Sequence, residues 1–346
     1  MLAFDVDWSR GRVVAIVDGS DEIAQASVVG GRLQTMEGFG ERHAESDGRG
    51  ATAVAIHPSD AVIATSGWHR RVRVWGLDPD MRNCRELGEA PQSAPALRSG
   101  YWGAAWSRCG RYLDTHNLAL NRGERFDWHS GRLVGIRWGR PGPIIRHPGG
   151  ELLAIAAGDM ASRIHFALWE GSSPKWLPVA VDVFVPCRLA FGLGTMAVVG
   201  GTTRIHAALF DFPSLAPRFA RKLELADEEV AAELGVSQAV ALAPDGSVLY
   251  VPGPDGEIVA LGADTGVERG RWRAHARMVT QIAHHPTRGE LLSSSVDGTL
   301  TLSRVIDPDV SWNPEREVER LVLQYPPTLA DPDRMGAAGF TIDTPW

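Results

Sequence analysis

Three His-Pro pairs are the residues of this chain whose type could most readily hold a metal ion. They are His57-Pro58, His147-Pro148 and His285-Pro286. Neutral imidazole is a common metal ligand, but each pair stands at the same point of a repeating pattern, so the three side chains are expected to lie far apart. Proline beside short polar residues is itself a turn signal. We therefore interpret these histidines as turn residues, and the sequence predicts no metal site.

Motifs that mark catalytic sites are missing from the sequence. It contains no HExxH pair for zinc, no glycine-rich phosphate loop after a strand, and no GxSxG turn for a nucleophilic serine. Its cysteines, Cys84, Cys109 and Cys187, are widely spaced and form no CxxC pair, which is typical of reduced thiols in a cytosolic protein. The sequence therefore predicts no catalytic residue and no cofactor.

A turn rich in aromatic and cationic residues is the strongest candidate for a binding surface. Trp68, His69, Arg70 and Arg71 fill it, although small polar residues would form such a turn more easily. Tryptophan and arginine dominate the energetics of protein interfaces. Two interpretations stay open: Trp68 and Arg70 project toward a partner, or Trp68 stacks on Arg70 within the turn.

The elements that carry these residues follow one repeated pattern of short apolar strands and tight turns. In the second repeat, residues 52–56, 62–66 and 72–78 alternate apolar side chains and are separated by polar turns. Equivalent turns recur at intervals of about 40–50 residues, the signature of a β-propeller with one four-stranded blade per repeat. They are marked by Arg10, Pro58, Arg108, Pro148, Gly192, Pro244 and Pro286. The sequence therefore predicts an all-β fold, a seven-bladed propeller of four-stranded antiparallel blades over residues 1–307, with a short helical or irregular tail over residues 308–346.

The second, sixth and seventh repeats resemble WD40 repeats, and the chain is identified as a divergent member of that superfamily. Trp75 stands where the Trp-Asp pair of the family belongs, with Gly76 in place of the aspartate. Asp255 and Asp297 match the turn aspartate that braces a regular blade, and His275 resembles the histidine of the Gly-His element. The buried hydrogen-bond tetrad of the family is therefore expected to be mostly incomplete, with blade packing resting on apolar burial.

The resemblance implies a binding surface on one rim of the propeller. In WD40-like blades the turn between the second and third strands lies on this rim, beside the loops that join successive blades. The candidate partner-binding residues placed there are Trp68, His69, Arg70, Arg71, Tyr101, Trp102, Met160, Arg163, Arg204 and Arg277. What the resemblance implies is a stand-alone, bacterial-type module for protein–protein interaction without catalysis, an adaptor or an inhibitor that positions or sequesters an effector or regulatory protein.

A propeller enzyme or ligand binder that uses its central channel, like a lactonase or a quinoprotein, is the alternative. Residues 255–272 look like a repeat of the pyrroloquinoline-quinone propellers, but this motif occurs once. A channel site would also need several polar side chains converging on the axis, and Asp5, Asp7 and Gln281 are the few found on predicted inner strands. We therefore expect binding and not catalysis.

Charge and hydropathy narrow the class of partner. The chain has 346 residues, a net charge of −7 and a pI near 5.9, whereas a nucleic-acid-binding protein concentrates positive charge on one face. No apolar stretch approaches the roughly 20 residues of a membrane span, and the N-terminus carries Asp5 and Asp7 where a signal peptide carries positive charge. We expect a cytoplasmic protein, monomeric when alone, that binds another protein and neither nucleic acid nor membrane.

Two segments depart from the repeat. Residues 227–235 are expected to form a short helix between the fifth and sixth blades, with an aspartate as its N-cap. Residues 313–325 predict a second helix, because their apolar residues fall on one helical stripe. That stripe consists of Val318, Leu321, Val322 and Tyr325. Since the chain begins in an inner strand, the tail is also expected to supply the outer strand of the seventh blade, from residues 318–325 or 340–346.

Overall fold

The computed structural model describes the body of the propeller and one strand of the tail. The described residues are 2–17, 23–29, 32–35, 51–67, 70–77, 84–89, 100–138, 144–146, 153–158, 163–170, 173–182, 187–200, 204–212, 214–224, 239–305 and 318–321. Within them the chain forms strands β1 to β28 and one 3-10 turn, Pro254–Gly256. The expected helix at residues 227–235 and the expected strand at residues 340–346 lie outside the described part of the chain.

Each sheet consists of four strands that follow one another along the chain and pair antiparallel. The described residues contain seven such sheets, the number of blades predicted from the spacing of the turns. In chain order the strands of the first four sheets are β1 (Leu2–Asp7), β2 (Arg12–Val17), β3 (Ile23–Val29), β4 (Arg32–Thr35); β5 (Ala51–Ile56), β6 (Val62–Gly67), β7 (Arg71–Gly76), β8 (Cys84–Glu89); β9 (Tyr101–Trp106), β10 (Tyr112–Asn117), β11 (Arg122–Asp127), β12 (Arg132–Trp138); β13 (Ile144–Arg146), β14 (Leu153–Gly158), β15 (Arg163–Glu170), β16 (Ser173–Asp182). The remaining three sheets are β17 (Cys187–Gly192), β18 (Thr195–Gly200), β19 (Arg204–Asp211), β20 (Pro217–Glu224); β21 (Ala241–Leu242), β22 (Val248–Pro252), β23 (Glu257–Gly262), β24 (Glu268–Arg273); β25 (Val279–His284), β26 (Glu290–Ser295), β27 (Leu300–Arg304), β28 (Val318–Leu321).

Apolar side chains on both faces of the middle strands form the contacts between neighbouring sheets. Ile16 of the first sheet packs in one cluster with Ile63 and Trp75 of the second. Val74 on the other face of the second sheet packs with Trp106 of the third. Burying one such side chain contributes about 1.5–3 kcal/mol relative to exposure. The alternating pattern predicted from the sequence therefore places one apolar layer between each of these pairs of blades.

Side chains of the inner strands also link neighbouring sheets by hydrogen bonds to backbone groups. The indole N–H of Trp106 donates to the carbonyl of Ala55 across the second and third sheets, at 3.0 Å. The Asp5 carboxylate accepts the amide of Ile56 at 2.7 Å, which joins the first sheet to the second. These bonds bring the inner strands together where no backbone ladder connects them.

The ring closes between the last sheet and the first through one glutamine. Gln281 on β25 accepts the backbone N–H of Phe4 through Oε1 at 3.1 Å and donates to the carbonyl of the same residue through Nε2 at 2.7 Å. Its amide thus imitates one step of a β-ladder. A buried apolar cluster that includes Phe4, Leu292 and Leu302 lies behind this contact.

The tail contributes a strand where the sequence predicted a helix. Val318–Leu321 pairs antiparallel with β27, with Leu300 opposite Leu321 and Leu302 opposite Glu319. The helix prediction is therefore wrong for these residues. The edge of β27 presents unpaired backbone groups to the tail, and satisfying them outweighs a weak helical preference. One of the two segments expected to complete the seventh blade thus does so.

Candidate functional site

The His-Pro turns have a structural role in the two repeats that the structure describes. His57 is buried, its Nδ1 accepts the backbone N–H groups of Ser59 and Asp60, and its Nε2 lies 2.8 Å from the carbonyl of Gly110. His285 likewise accepts two backbone N–H groups of its own turn through Nδ1. Each ring caps the turn that follows it, which supports the interpretation as turn residues. His147 lies outside the described residues.

A cluster of three or more side chains that could hold a metal ion does not occur among the described residues. The same part of the chain contains no helix long and apolar enough to cross a membrane. Two of the polar groups considered for a channel site, Asp5 and Gln281, bond to backbone groups of neighbouring sheets. The third, Asp7, accepts the amides of Ser9 and Arg10 in its own turn.

The binding rim predicted from the sequence can be placed by strand ends, and we call it the upper rim. It is the end of the sheets at which inner strands begin, second strands end and third strands begin. Arg71, Arg163 and Arg204 are the first residues of third strands β7, β15 and β19. The third strand between them, β11, begins with Arg122. Four consecutive blades therefore begin their third strand with arginine.

Arg122 was missed in the sequence reading, although its position after the second strand of the third repeat was a usable signal. Its side chain is 19% exposed, and its Nη2 lies 2.6 Å from a carboxylate oxygen of Glu124. Glu124 is buried and also accepts the hydroxyl of Tyr101 at 3.0 Å. The sequence does not show that Arg122 pairs with a buried carboxylate, because the partners of Glu124 come from three different strands.

Tyr101 is a correction to the expected surface. The sequence reading placed it on the exposed rim, but it is 2% exposed and its hydroxyl is held by Glu124, with Asn117 donating to the same hydroxyl at 3.2 Å. Burial, with the nearby Glu124 charge, raises the pKa of Tyr101 above its usual range. Tyr101 therefore joins the strands of the third sheet below the rim and offers no surface to a partner.

Arg70 has an unusual backbone conformation. Its φ is +64°, in the left-handed region that glycine occupies without strain, and its N–H closes the turn onto the carbonyl of Gly67 at 3.3 Å. The side chain is half-buried. A left-handed arginine in a tight turn has a conformational cost of roughly 1 kcal/mol or more. A bulky cation thus stands where the turn would be easier to form with glycine.

Arg71 belongs to a mixed cluster of charges at the same rim. Its Nη1 lies 3.1 Å from a carboxylate oxygen of Glu86, and its Nη2 lies 3.9 Å from Glu89 at the end of β8. Arg73 approaches the same Glu86 at 3.8 Å. The Arg71 side chain is still 30% exposed. The cluster therefore presents both signs of charge to solvent.

Arg277 occupies the equivalent edge of the seventh sheet. It is exposed in the loop before β25, and its carbonyl accepts the hydroxyl of Ser295 at 3.0 Å. Beneath it, the buried ring of His275 lies 2.7 Å from Thr299 and 2.8 Å from Ser293. Thr299 in turn donates to Asp297 at 2.5 Å. Three positions of the family's tetrad are thus bonded in this blade.

Asp297 is held ionised by that network. Burial would raise the pKa of its carboxyl, but hydrogen bonds from Thr299 and from the backbone N–H of Ala276 outweigh burial and lower it. Because the carboxylate can only accept, the Thr299 hydroxyl donates to it and accepts from the Nδ1–H of His275. The chain of bonds fixes the loop before β25, and with it the position of Arg277.

Six of the predicted rim residues have no described side chain. Trp68, His69 and Met160 lie outside the described residues, so the choice between projection and stacking of Trp68 stays open. Trp102 lies in β9, and Arg163 and Arg204 begin their strands, but only their backbone positions are described. The residues whose rim position and side-chain environment are both described are Arg70, Arg71 and Arg277.

A shallow cleft lies at the opposite end of the second and third sheets, which we call the lower rim. It has a volume of about 570 Å³ and is lined by His57, Cys109, Arg111, Asp127 and His129 among others. A backbone N–H of Ser130 and the guanidinium of Arg111 lower the pKa of the Asp127 carboxyl to about 2. Asp127 is paired with Arg111 at 2.8 Å, and His57 bonds to backbone groups of its own turn and of Gly110.

Comparison with known proteins shows what these repeats and this fold are similar to. The WD40 repeat model (WD domain, G-beta repeat) matches residues 41–76 and 266–302, which include most of the second and seventh repeats. None of the curated proteins compared with the chain matches it. A chain in the crystal structure of the mitotic checkpoint complex is similar at 19% identity, with a TM-score of 0.54 and 75% of each chain covered.

The predicted resemblance to WD40 repeats and the predicted all-β propeller fold are thereby confirmed: the repeat model matches the chain at two positions, and the fold is similar to that of a solved propeller chain. At 19% identity the structural likeness shows the fold alone. Solved chains that match number 1574, so a propeller of this kind does not by itself select one activity.

Proposed function

We propose that this chain is a non-catalytic protein-interaction module whose upper rim binds one partner protein. The class is supported by the fold, because WD40 propellers generally mediate contacts between proteins. The finer assignment, an adaptor or inhibitor that positions or sequesters an effector or regulatory protein, rests on the sequence reading. In this proposal the chain works in the cytoplasm as a monomer, and its three widely spaced cysteines, without a CxxC pair, fit a reducing compartment.

The observation that carries the rim assignment is Arg70. Strained backbone conformations cluster at binding and switch sites, because the surrounding fold maintains them for a reason other than stability. Arginine at the centre of an interface is a frequent hot spot and binds carboxylates through a bidentate fork. Arg71 and the exposed Arg277 extend the cationic character of the rim, and Trp68, His69, Trp102, Met160, Arg163 and Arg204 are proposed to complete it.

The partner surface is therefore proposed to be acidic with an apolar centre. Carboxylates would pair with Arg70 and Arg277, while the aromatic residues of the turn supply apolar contact. The exposed guanidinium groups make the association rate depend on salt, because exposed charges farther apart than about 8–10 Å are screened at physiological ionic strength.

The test compares capture of the native partner by two tagged variants. Trp68→Ala with Arg70→Ala should reduce capture at least tenfold, since losing a central anchor costs ~2 kcal/mol or more. Arg288→Ala is the matched control, because Arg288 is an exposed arginine of a lower-rim turn, with a side chain that is 58% exposed. Partner capture that survives the double substitution, or that is lost equally in the control, would place binding elsewhere.

A further inference from the structure

The outer strands of the blades present free backbone edges, and three of those described, β8, β20 and β24, are protected by charge. The exposed positions of β8 include Arg85, Glu86 and Glu89, and those of β24 are glutamate or arginine throughout. β20 exposes arginine and lysine. Charged side chains on an edge strand discourage pairing with another chain. These three edges are therefore protected against pairing with another chain.

The outer strand of the third blade, β12, has its charged residues only near its two ends, Arg132 and Arg137, and its centre is apolar. Leu133, Val134 and Ile136 are 39%, 49% and 41% exposed, and they are half of the large hydrophobic side chains found exposed in the described residues. Gly135 between them has no side chain to cover the backbone. β12 ends its sheet in the order β12-β11-β10-β9, so no strand of the described chain pairs with its outer edge.

A bulge in β12 does not explain the difference. Gly135 pairs with Arg125 and Leu133 pairs with Phe126, so Val134 is the extra residue of the bulge. Bulges can twist an edge away from pairing, but β8, β20 and β24 carry the same irregularity in addition to their charges. What sets β12 apart from these three strands is its exposed apolar centre, residues 133–136.

We propose that the outer edge of β12 binds an extended segment of a partner protein as a fifth strand of the third blade. The proposal rests on the protein-interaction function proposed above and adds a second surface, distinct from the upper rim. In strand addition the backbone ladder supplies affinity and alternate side chains supply specificity. Val134 and Ile136 would contact apolar residues at alternate positions of the incoming segment.

A peptide segment fits this edge better than a second copy of the chain. Standard interfaces use about 20–30 residues on each side, whereas β12 offers 7. A single strand pair between two rigid propellers would fall well short of a stable dimer. An extended segment needs no more than the strand itself.

The charge around β12 specifies the segment further. Arg132 is exposed at the start of the strand, and the exposed Arg85 lies beside it, bonded to the carbonyls of Trp128 and His129 at 2.7 Å. The acid close to this end, Asp127, is paired with Arg111 at 2.8 Å. In an antiparallel pair the C-terminal end of the guest strand faces this basic end. The preferred segment therefore alternates apolar residues and finishes with an aspartate, a glutamate or a free carboxylate.

The experiment uses a labelled probe peptide with an amidated C-terminus, acetyl-Val-Thr-Val-Thr-Val-Asp-amide, and fluorescence anisotropy with the full chain. Ile136→Glu and Val134→Glu should each weaken binding at least tenfold. Val267→Glu, at a valine that is 60% exposed in a turn away from β12, should stay within twofold. A probe with N-methylated backbone amides should also lose at least tenfold, because it cannot form the ladder.

A double-mutant cycle tests the orientation of the bound peptide. Changing the terminal aspartate of the probe to asparagine should weaken binding to the wild-type chain but not to Arg132→Ala. Equal binding by Ile136→Glu and wild type, or by the N-methylated probe, would overturn the proposal. Concentration-dependent dimers that Ile136→Glu abolishes would assign the edge to a second copy and overturn it as well.

The outcome is separable from that of the rim proposal. Arg70→Ala should bind the probe like wild type, since Arg70 lies in another blade. Suppose that the variant Trp68→Ala with Arg70→Ala still binds both the probe and the native partner. This result would refute the rim proposal and leave the β12 proposal standing.

Discussion

Two residues show that the sequence alone does not distinguish a surface contact from a structural residue. Arg70 and Tyr101 both looked like surface contacts. The backbone of Arg70 (φ +64°) makes it the costlier choice for its turn, whereas Tyr101 is 2% exposed and serves the sheet. Burial decides between the two roles, and burial depends on partners from distant strands.

Replacing Arg70 by glycine should separate binding from stability. Glycine removes the left-handed strain of about 1–2 kcal/mol at an entropic cost of about 0.4–1 kcal/mol, so the free energy of unfolding should stay unchanged or rise by up to about 1.5 kcal/mol. Partner capture should fall. Arg288→Gly, at a position without a left-handed φ, should instead lose stability. Urea unfolding of the three proteins measures this, and a clear loss in Arg70→Gly would contradict the strain argument.

Tyr101→Phe should destabilise the fold by ~1–3 kcal/mol at neutral pH, because the buried Glu124 loses a donor. The pH dependence has a definite sign. Since the pKa of Tyr101 is raised in the folded state, its contribution is complete below about pH 10 and is lost as the pH rises further. Above about pH 10 the variant should therefore lose less stability than wild type. Tyr112→Phe, at a partly exposed tyrosine, is the control, and identical alkaline curves would contradict the prediction.

At the scale of elements, the clearest lesson comes from β28. Val318 and Leu321 fit a helical stripe in the sequence, yet they lie in a strand opposite β27. A local period identifies a helix only when no edge strand competes for the same backbone. The competing edge is that of β27, some fifteen residues earlier in the chain. The sequence of residues 318–321 alone does not show that this edge is available.

Truncation tests the role of β28 directly. A chain that ends at Asp307 lacks β28 and leaves Leu300, Thr301 and Leu302 on an open edge, so it should aggregate or melt several degrees lower. A chain that ends at Tyr325 keeps β28 and should behave like wild type. Light scattering and thermal melting distinguish the two. A monomeric Asp307 truncation with an unchanged melting temperature would show that β28 is dispensable.

Much of the architecture followed from turn chemistry alone. The residues that mark turns, such as Pro58 and Pro244, repeat because each blade needs the same chain reversal, and the alternating apolar strands between them follow. The rim was harder to predict. Arg122 carried the same positional signal as Arg71, but its meaning depends on the buried Glu124. Polar networks combine residues from several strands, and spacing in one strand does not reveal them.

At the scale of the whole molecule, the junction of the last and first sheets is the point at which the ring closes without a connecting loop. The two hydrogen bonds between Gln281 and Phe4 and the apolar cluster around Phe4 hold it. Every other neighbouring pair of sheets is also joined by the chain itself. The closure therefore depends on side chains to a degree that the other junctions do not.

Gln281→Ala should lower the free energy of unfolding by ~1–3 kcal/mol, because both backbone groups of Phe4 lose their partner. Gln34→Ala, at an exposed glutamine of the outer strand β4, should change it by less than ~0.5 kcal/mol. Denaturant unfolding gives both values. If the two variants were equally stable, the apolar cluster alone would be closing the ring.

Because each sheet uses four consecutive strands, the ends of the chain can be relocated without dividing a blade. A circular permutant opened within residues 225–238, with a linker joining the old termini, would retain all seven sheets. The unlinked junction would then lie between the fifth and sixth sheets, where Val199, Leu209 and Leu249 belong to one buried cluster. A blade is thus also the unit in which such a chain can be shortened, extended or reordered during evolution.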